Sequence, residues 1–163
     1  ITPEIHLIGH SRGGGIALLQ SENKHVSKIC SWAGISSILS RFPKGDLLEQ
    51  WRVEGIRYYP NGRTKQAMPH SFDQYSDYVS NKDRLDIESY CKSSKKKTLI
   101  IHGDNDTSIK MIEGESLANW LKVELTIIKD TQHTFDASQP WEKSAMPDAL
   151  QEACELTLKF LNT

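Results

Sequence analysis

The 163 residues suit a single domain, and a formal charge of −1 leaves no electrostatic footprint for nucleic acid. Apolar residues make up 37% of the chain, at the low end but enough for a core. No stretch approaches the roughly 18 apolar residues of a membrane helix, so neither nucleic acid nor membrane is expected as a partner. Three cysteines, Cys30, Cys91 and Cys154, are odd in number and lack metal-like spacing. They read as mostly buried thiols of a reducing, cytoplasmic compartment, with no metal site.

In chain order, Ile5 to Ile8 is a short apolar run that reads as a buried strand. It meets Gly9-His10-Ser11-Arg12-Gly13, and Ile16 to Leu19 then begin a helix expected over 12 to about 21. Strand, Gly-x-Ser-x-Gly, helix is a turn that lifts a serine to its apex. The flanking glycines let the two elements approach closely around a strained residue. A phosphate-binding turn is the competing reading, but no Gly-x-Gly-x-x-Gly or Gly-Lys-Ser/Thr accompanies it. A buried parallel strand needs neighbours on both edges. The chain begins at Ile1, just before such a strand, without a methionine. Residues 1–163 are therefore expected to be part of a longer protein, with its N-terminal half as partner.

Ile29 to Trp32 reads as a second buried strand. Residues 35–97 differ: they are polar and rich in aromatics, and are expected to form a helical insertion or cap. Leu48, Trp51, Gly55, Tyr58 and Tyr59 fall on one helical face, which Pro60-Asn61-Gly62 would end. Asp73 to about Ser80, with Asp73 as a possible cap, and Asp83 to Tyr90 give two further helices. The aromatics form either a small core or a substrate pocket, for which Trp51, Tyr58 and Tyr59 are the candidates. Lys92, Lys95, Lys96 and Lys97 read as a solvated loop.

Alternation then resumes. Thr98 to Ile101 is a strand that ends in His102-Gly103-Asp104-Asn105-Asp106. Ile109 to Leu121 has helical spacing, and Val123 to Ile128 is the last strand. Asp130 to Phe135 is a polar loop containing His133, and Pro147 can start the terminal helix. Such alternation predicts an α/β domain with a mostly parallel sheet, whose functional residues gather at the carboxyl ends of strands. The core would be 1–34 and 98–163. Three of these strand ends carry Ser11, an acidic pair (Asp104 and Asp106) and His133.

The chemistry suits these residue types. A serine hydroxyl needs a base to take its proton, and an imidazole can return that proton to the leaving group. A carboxylate on the second imidazole nitrogen holds the tautomer.

The serine turn, His-Gly-Asp-Asn-Asp and Gln132-His133-Thr134-Phe135, in that order, resemble the C-terminal half of the α/β-hydrolase superfamily. Asn61-Gly62-Arg63-Thr64, Met68-Pro69, Ile101-His102-Gly103 and His133-Thr134-Phe135 are most similar to dienelactone-hydrolase-like and acyl-peptidase-like esterases. The resemblance implies Ser11 as nucleophile, His133 as base, Asp106 as orienting acid with Asp104 as competitor, and the Arg12 N–H as an oxyanion donor. It implies a small-molecule ester or acyl substrate and no cofactor. An acyl-peptide hydrolase, an acyltransferase and a non-catalytic binding module of the same fold are the alternatives. The family's second oxyanion N–H comes from a loop after an early strand, so this stretch alone is expected to be a poor enzyme. Among the other histidines, His10 is expected to point away from the nucleophile, and His102 to brace the Asp106 loop.

Overall fold

The structure, a computed structural model, describes residues 4–61 and 64–163. Gly62 and Arg63, which belong to the expected helix end and to the Asn61–Thr64 phrase, lie outside the described residues.

The first strand, β1 (Ile5–His10), runs two residues beyond its apolar stretch. Ser11 turns the chain into α1 (Arg12–Leu18). This helix is shorter than its sequence pattern suggests, and Gly13, Gly14 and Gly15 give it little intrinsic helicity. β2 (Val26–Trp32) is almost wholly buried. A 3-10 turn (Leu39–Arg41) leads to α2 (Asp46–Glu54).

Here the structure corrects the sequence. Gly55 has φ +74°, a conformation that favours glycine, and it ends α2. The chain then extends into β3 (Ile56–Pro60), antiparallel to β4 (Ala67–Ser71). Tyr58 and Tyr59 therefore lie on opposite faces of a strand rather than on one face of a helix. α3 (Asp73–Ser80) follows as expected, but its cap residue is Phe72. Asp73 instead accepts a hydrogen bond from Ser71 Oγ (2.9 Å). α4 (Ile87–Ser93) starts later than predicted because Asp86 caps it, accepting from the Ser89 N–H. The remaining elements are β5 (Lys97–Gly103), α5 (Met111–Leu121), β6 (Leu125–Ile128) and α6 (Asp148–Leu161). Pro147 stands at the start of α6, as its sequence position suggests.

The chain divides into two compact units, residues 1–37 with 86–163, and residues 38–85. α4 thus belongs with the sheet, against α1 and α5, and the inserted unit is shorter than 35–97.

In the first unit the strands form one parallel sheet in the order β1-β2-β5-β6. Parallel pairing puts all four carboxyl ends on one edge. Side chains alternate between faces. Leu99 and Ile101 of β5 face α6, in a cluster with Ala33, Ile128, Phe135 and Ala153. His102 faces the other way, onto Gly114 of α5. Lys28 in β2 is buried, and its ammonium donates to the Leu161 carbonyl (2.7 Å), which joins the end of α6 to the sheet. β1 is an edge of the described sheet, and Ile8 there is 54% exposed.

The second unit is the β3–β4 hairpin with α2, α3 and the 3-10 turn. Its centre is Trp51, which meets Phe42 and Phe72, with Tyr75 edge-on to Phe42.

Candidate active site

The serine turn is strained and braced. Ser11 has φ 60° and ψ −123°, a region that residues with a β-carbon rarely occupy. β2, the residues after it and α1 supply the restraints: the Ser11 N–H donates to the Trp32 carbonyl (2.8 Å), and the Ser11 carbonyl accepts from Ile35 N–H (3.2 Å) and Gly14 N–H (3.0 Å). The glycines have a steric reason. A β-carbon on Gly9 would stand 2.2 Å from the Gly13 carbonyl oxygen. One on Gly14 would stand 2.6 Å from Ser31 Oγ and 2.8 Å from Gly34 Cα.

The candidate acid, Asp106, sits in the loop after β5. Asp106 is buried, and its Oδ1 accepts from the N–H groups of Ser108 and Ile109, both at 2.8 Å. These two bonds fix the carboxylate and leave Oδ2 facing His133 Nδ1 at 2.7 Å. His102, fully buried, donates from Nε2 to the Ile109 carbonyl (2.8 Å), and that nitrogen lies 3.5 Å from Asp106 Oδ2. It braces the same loop that presents the acid. Gly114 makes room for the ring, since a β-carbon there would lie 2.7 Å from His102 Nδ1. Asp104 is placed elsewhere, 3.8 Å from Lys129 Nζ.

The imidazole completes the chain. The carboxylate of Asp106 can only accept, so His133 Nδ1 carries the proton. Nε2 then has a free lone pair, and it lies 2.9 Å from Ser11 Oγ. The His133 side chain is 19% exposed, so water and small molecules can reach it. The three side chains come together from three strand ends separated widely in sequence. The arrangement can take a proton from the serine hydroxyl as it attacks, and the buried carboxylate stabilises the imidazolium that results. Arg12 is the first residue of α1, so its N–H has no acceptor within the helix.

His10 is where the sequence misled. The expectation was that it points away from the site. β1 and β2 pair His10 with Trp32, which puts both rings on the α6 face of the sheet. Phe135 lies edge-on to both rings. The His10 ring also lies 4.6 Å from that of His133, and its Nε2 donates to the His133 carbonyl (2.7 Å). Burial against these neighbours lowers the His10 pKa below its ordinary 6.5; the bond to the carbonyl opposes this, the nearby His133 adds to it, and Asp106 opposes it. The strand parity of His10 was the available signal.

The pocket candidates behave differently. Trp51 is 1% exposed, enclosed by Phe42 and Phe72, and its indole N–H donates to the His70 carbonyl (2.9 Å). It has no face to offer a substrate, which corrects its assignment as a pocket residue. Tyr59 packs at a tilt against His70 and lies under the Arg57 guanidinium. Tyr58 keeps a ring that is 62% exposed. Among the described residues no group of three His, Cys, Asp or Glu could hold a metal ion, and no helix is long and apolar enough to cross a membrane.

No family model and no curated protein matches the sequence. Solved structures do match the fold. The esterase domain of a Rhodothermus marinus protein is 14% identical with a TM-score of 0.59, over 94% of this chain and 59% of its own. An α/β-hydrolase enzyme from a sediment metagenome of the Mar Chica lagoon is 17% identical with a TM-score of 0.59, over 99% of this chain and 64% of its own. The acylaminoacyl peptidase of Pyrococcus horikoshii is 17% identical with a TM-score of 0.62, over 99% of this chain and 24% of its own. The chain thus spans less than two thirds of the length of each. At these identities the likeness concerns the fold, and the fold of this chain is that of the α/β-hydrolases.

Proposed function

We propose that the chain carries the reacting side chains of a serine hydrolase that cleaves a carboxylic ester or a related acyl bond. The observation that supports this reading best is the unbroken chain from Ser11 Oγ through His133 to Asp106, at 2.9 and 2.7 Å, on a serine held at positive φ. Ser11 Oγ attacks the carbonyl carbon while its proton passes to His133 Nε2. The oxyanion of the tetrahedral intermediate is met by the Arg12 N–H. His133 then gives the proton to the departing alkoxide, which leaves an ester between the acyl group and Ser11. Water, deprotonated by the same imidazole, hydrolyses that ester and restores the serine. The likeness to an esterase domain and to an acylaminoacyl peptidase fits both ester and amide substrates.

The test compares the chain with its Ser11→Ala variant on a p-nitrophenyl ester and an acyl-peptide p-nitroanilide. Ester hydrolysis that falls about 10⁴-fold or more in the variant supports the reading. Equal rates in the two proteins would sink it. Faster turnover of the anilide would move the substrate class to acyl peptides.

A further inference from the structure

We propose that His10 is a positioning residue of this site, holding the base in line with the nucleophile through the backbone carbonyl of His133. The inference rests on the reading of Ser11 and His133 given above. His133 stands on a loop without regular secondary structure, in which Asp130, Phe135 and Asp136 all have φ between 52° and 62°. Within the loop, the Phe135 N–H donates to the Gln132 carbonyl (3.1 Å) and Thr131 Oγ1 to Asp136 Oδ1 (2.9 Å), which hold the backbone on either side of His133. The loop's ties to the rest of the unit include a buried Phe135 and the Asn105 N–H to Thr131 carbonyl bond (3.0 Å). Neither acts on His133 itself. The His10 bond does, and it spans 123 positions of sequence.

The geometry closes a small circuit. His10 and Ser11 are adjacent on the backbone. His10 Nε2 grips the carbonyl of His133, and His133 Nε2 reaches Ser11 Oγ. A shift of the loop that lengthens the second contact must also strain the first. The His10 side chain is exposed, and its ring lies against the edge of Phe135. A carbonyl can only accept, so Nε2 of His10 carries the proton. The lowered pKa of His10 keeps the ring neutral near pH 7, so no second cation opposes the imidazolium that forms on His133.

Two variants separate the hydrogen bond from the ring. His10→Phe keeps an aromatic ring beside His133 but removes the donor. His10→Gln keeps a donor of similar reach but removes the ring. Both are measured in the whole chain for kcat and KM on p-nitrophenyl acetate, and for the His133 Nδ1 proton by NMR, which is visible only while it is held against Asp106. For His10→Phe, kcat falls about 10-fold with KM within about twofold, since small misplacements of reacting groups cost rate rather than binding. The Nδ1 proton signal is lost. For His10→Gln, kcat stays within about threefold and the signal remains, as expected where the hydrogen bond does the positioning. A His10→Phe variant with unchanged kcat and a sharp signal overturns the proposal. So does a His10→Gln variant as impaired as His10→Phe. If the unsubstituted chain turns over too slowly for kcat to be read, as expected of a stretch with a single oxyanion donor, the NMR signal alone decides the role of His10.

Discussion

The two units of the chain are held together by opposite means. The sheet unit, 1–37 with 86–163, spreads its burial over aliphatic strands and a helix, with Ile29, Ile100, Ile101 and Ile128 of the strands and Leu117 of α5 all sealed. In residues 38–85, Trp51 is the single fully buried side chain among those described, and aromatic rings surround it. The sheet unit joins strands far apart in sequence, so its strand ends bring distant side chains to one edge. The second unit closes locally around one indole. A core shared among many side chains tolerates the polar and strained residues that chemistry needs, whereas a core of one side chain has no such margin.

The sharpest way to break this contrast is Trp51→Ala. Loss of a buried indole costs about 3–5 kcal/mol, which is comparable to what a small core can supply. We expect 56–60 and 67–71 to lose amide protection in hydrogen exchange while β2 and β5 keep theirs. Coincident loss in both units would show that they fold as one. Gly9→Ala tests the sheet unit where it is least forgiving. The added methyl meets the backbone of Gly13 and Gly14 rather than a movable side chain, at 2.2 to 2.8 Å. We expect a cost of about 3 kcal/mol in denaturant unfolding, near the upper end for overpacking. A cost below about 1 kcal/mol would show that the turn can relax.

The smallest effect concerns pH. The folded pKa of His10 lies below 6.5, chiefly because desolvation disfavours its cation; the bond to the His133 carbonyl opposes this, the His133 ring adds to it and Asp106 opposes it. The unfolded chain therefore binds more protons in that window, and stability rises with pH. The contribution is present above about pH 6.5 and is lost as pH falls through the lowered value. His10→Gln removes it, so the midpoint of thermal unfolding should depend less on pH between 5 and 7 in the variant. Identical slopes would mean that His10 titrates alike in both states.

The same contrast explains what was legible in the sequence. Ser11, Asp106 and His133 each follow an apolar run that forms a strand, so a local pattern carried the information. Motif register alone favours Asp106 over Asp104 in the sequence, and in the structure the N–H groups of Ser108 and Ile109 reach Asp106, whose other oxygen faces His133. The hairpin was missed because Leu48, Trp51, Gly55, Tyr58 and Tyr59 match helical spacing. Against that match stand Gly55 as a stop and the β-favouring run Ile56 to Tyr59. The direction of His10 follows from its parity in β1, which seats it beside Trp32, rather than from its place next to Ser11.

The positive φ of Ser11 has a consequence for how this chain can change. Glycine would occupy φ 60° and ψ −123° with less strain than serine does. A sequence optimised for folding alone would therefore place glycine at position 11 and gain stability by discarding its hydroxyl. With Ser11 as the nucleophile proposed above, stability and chemistry pull in opposite directions at this residue, and the bonds to Trp32 and Ile35 let the fold bear a serine where its own preference is glycine.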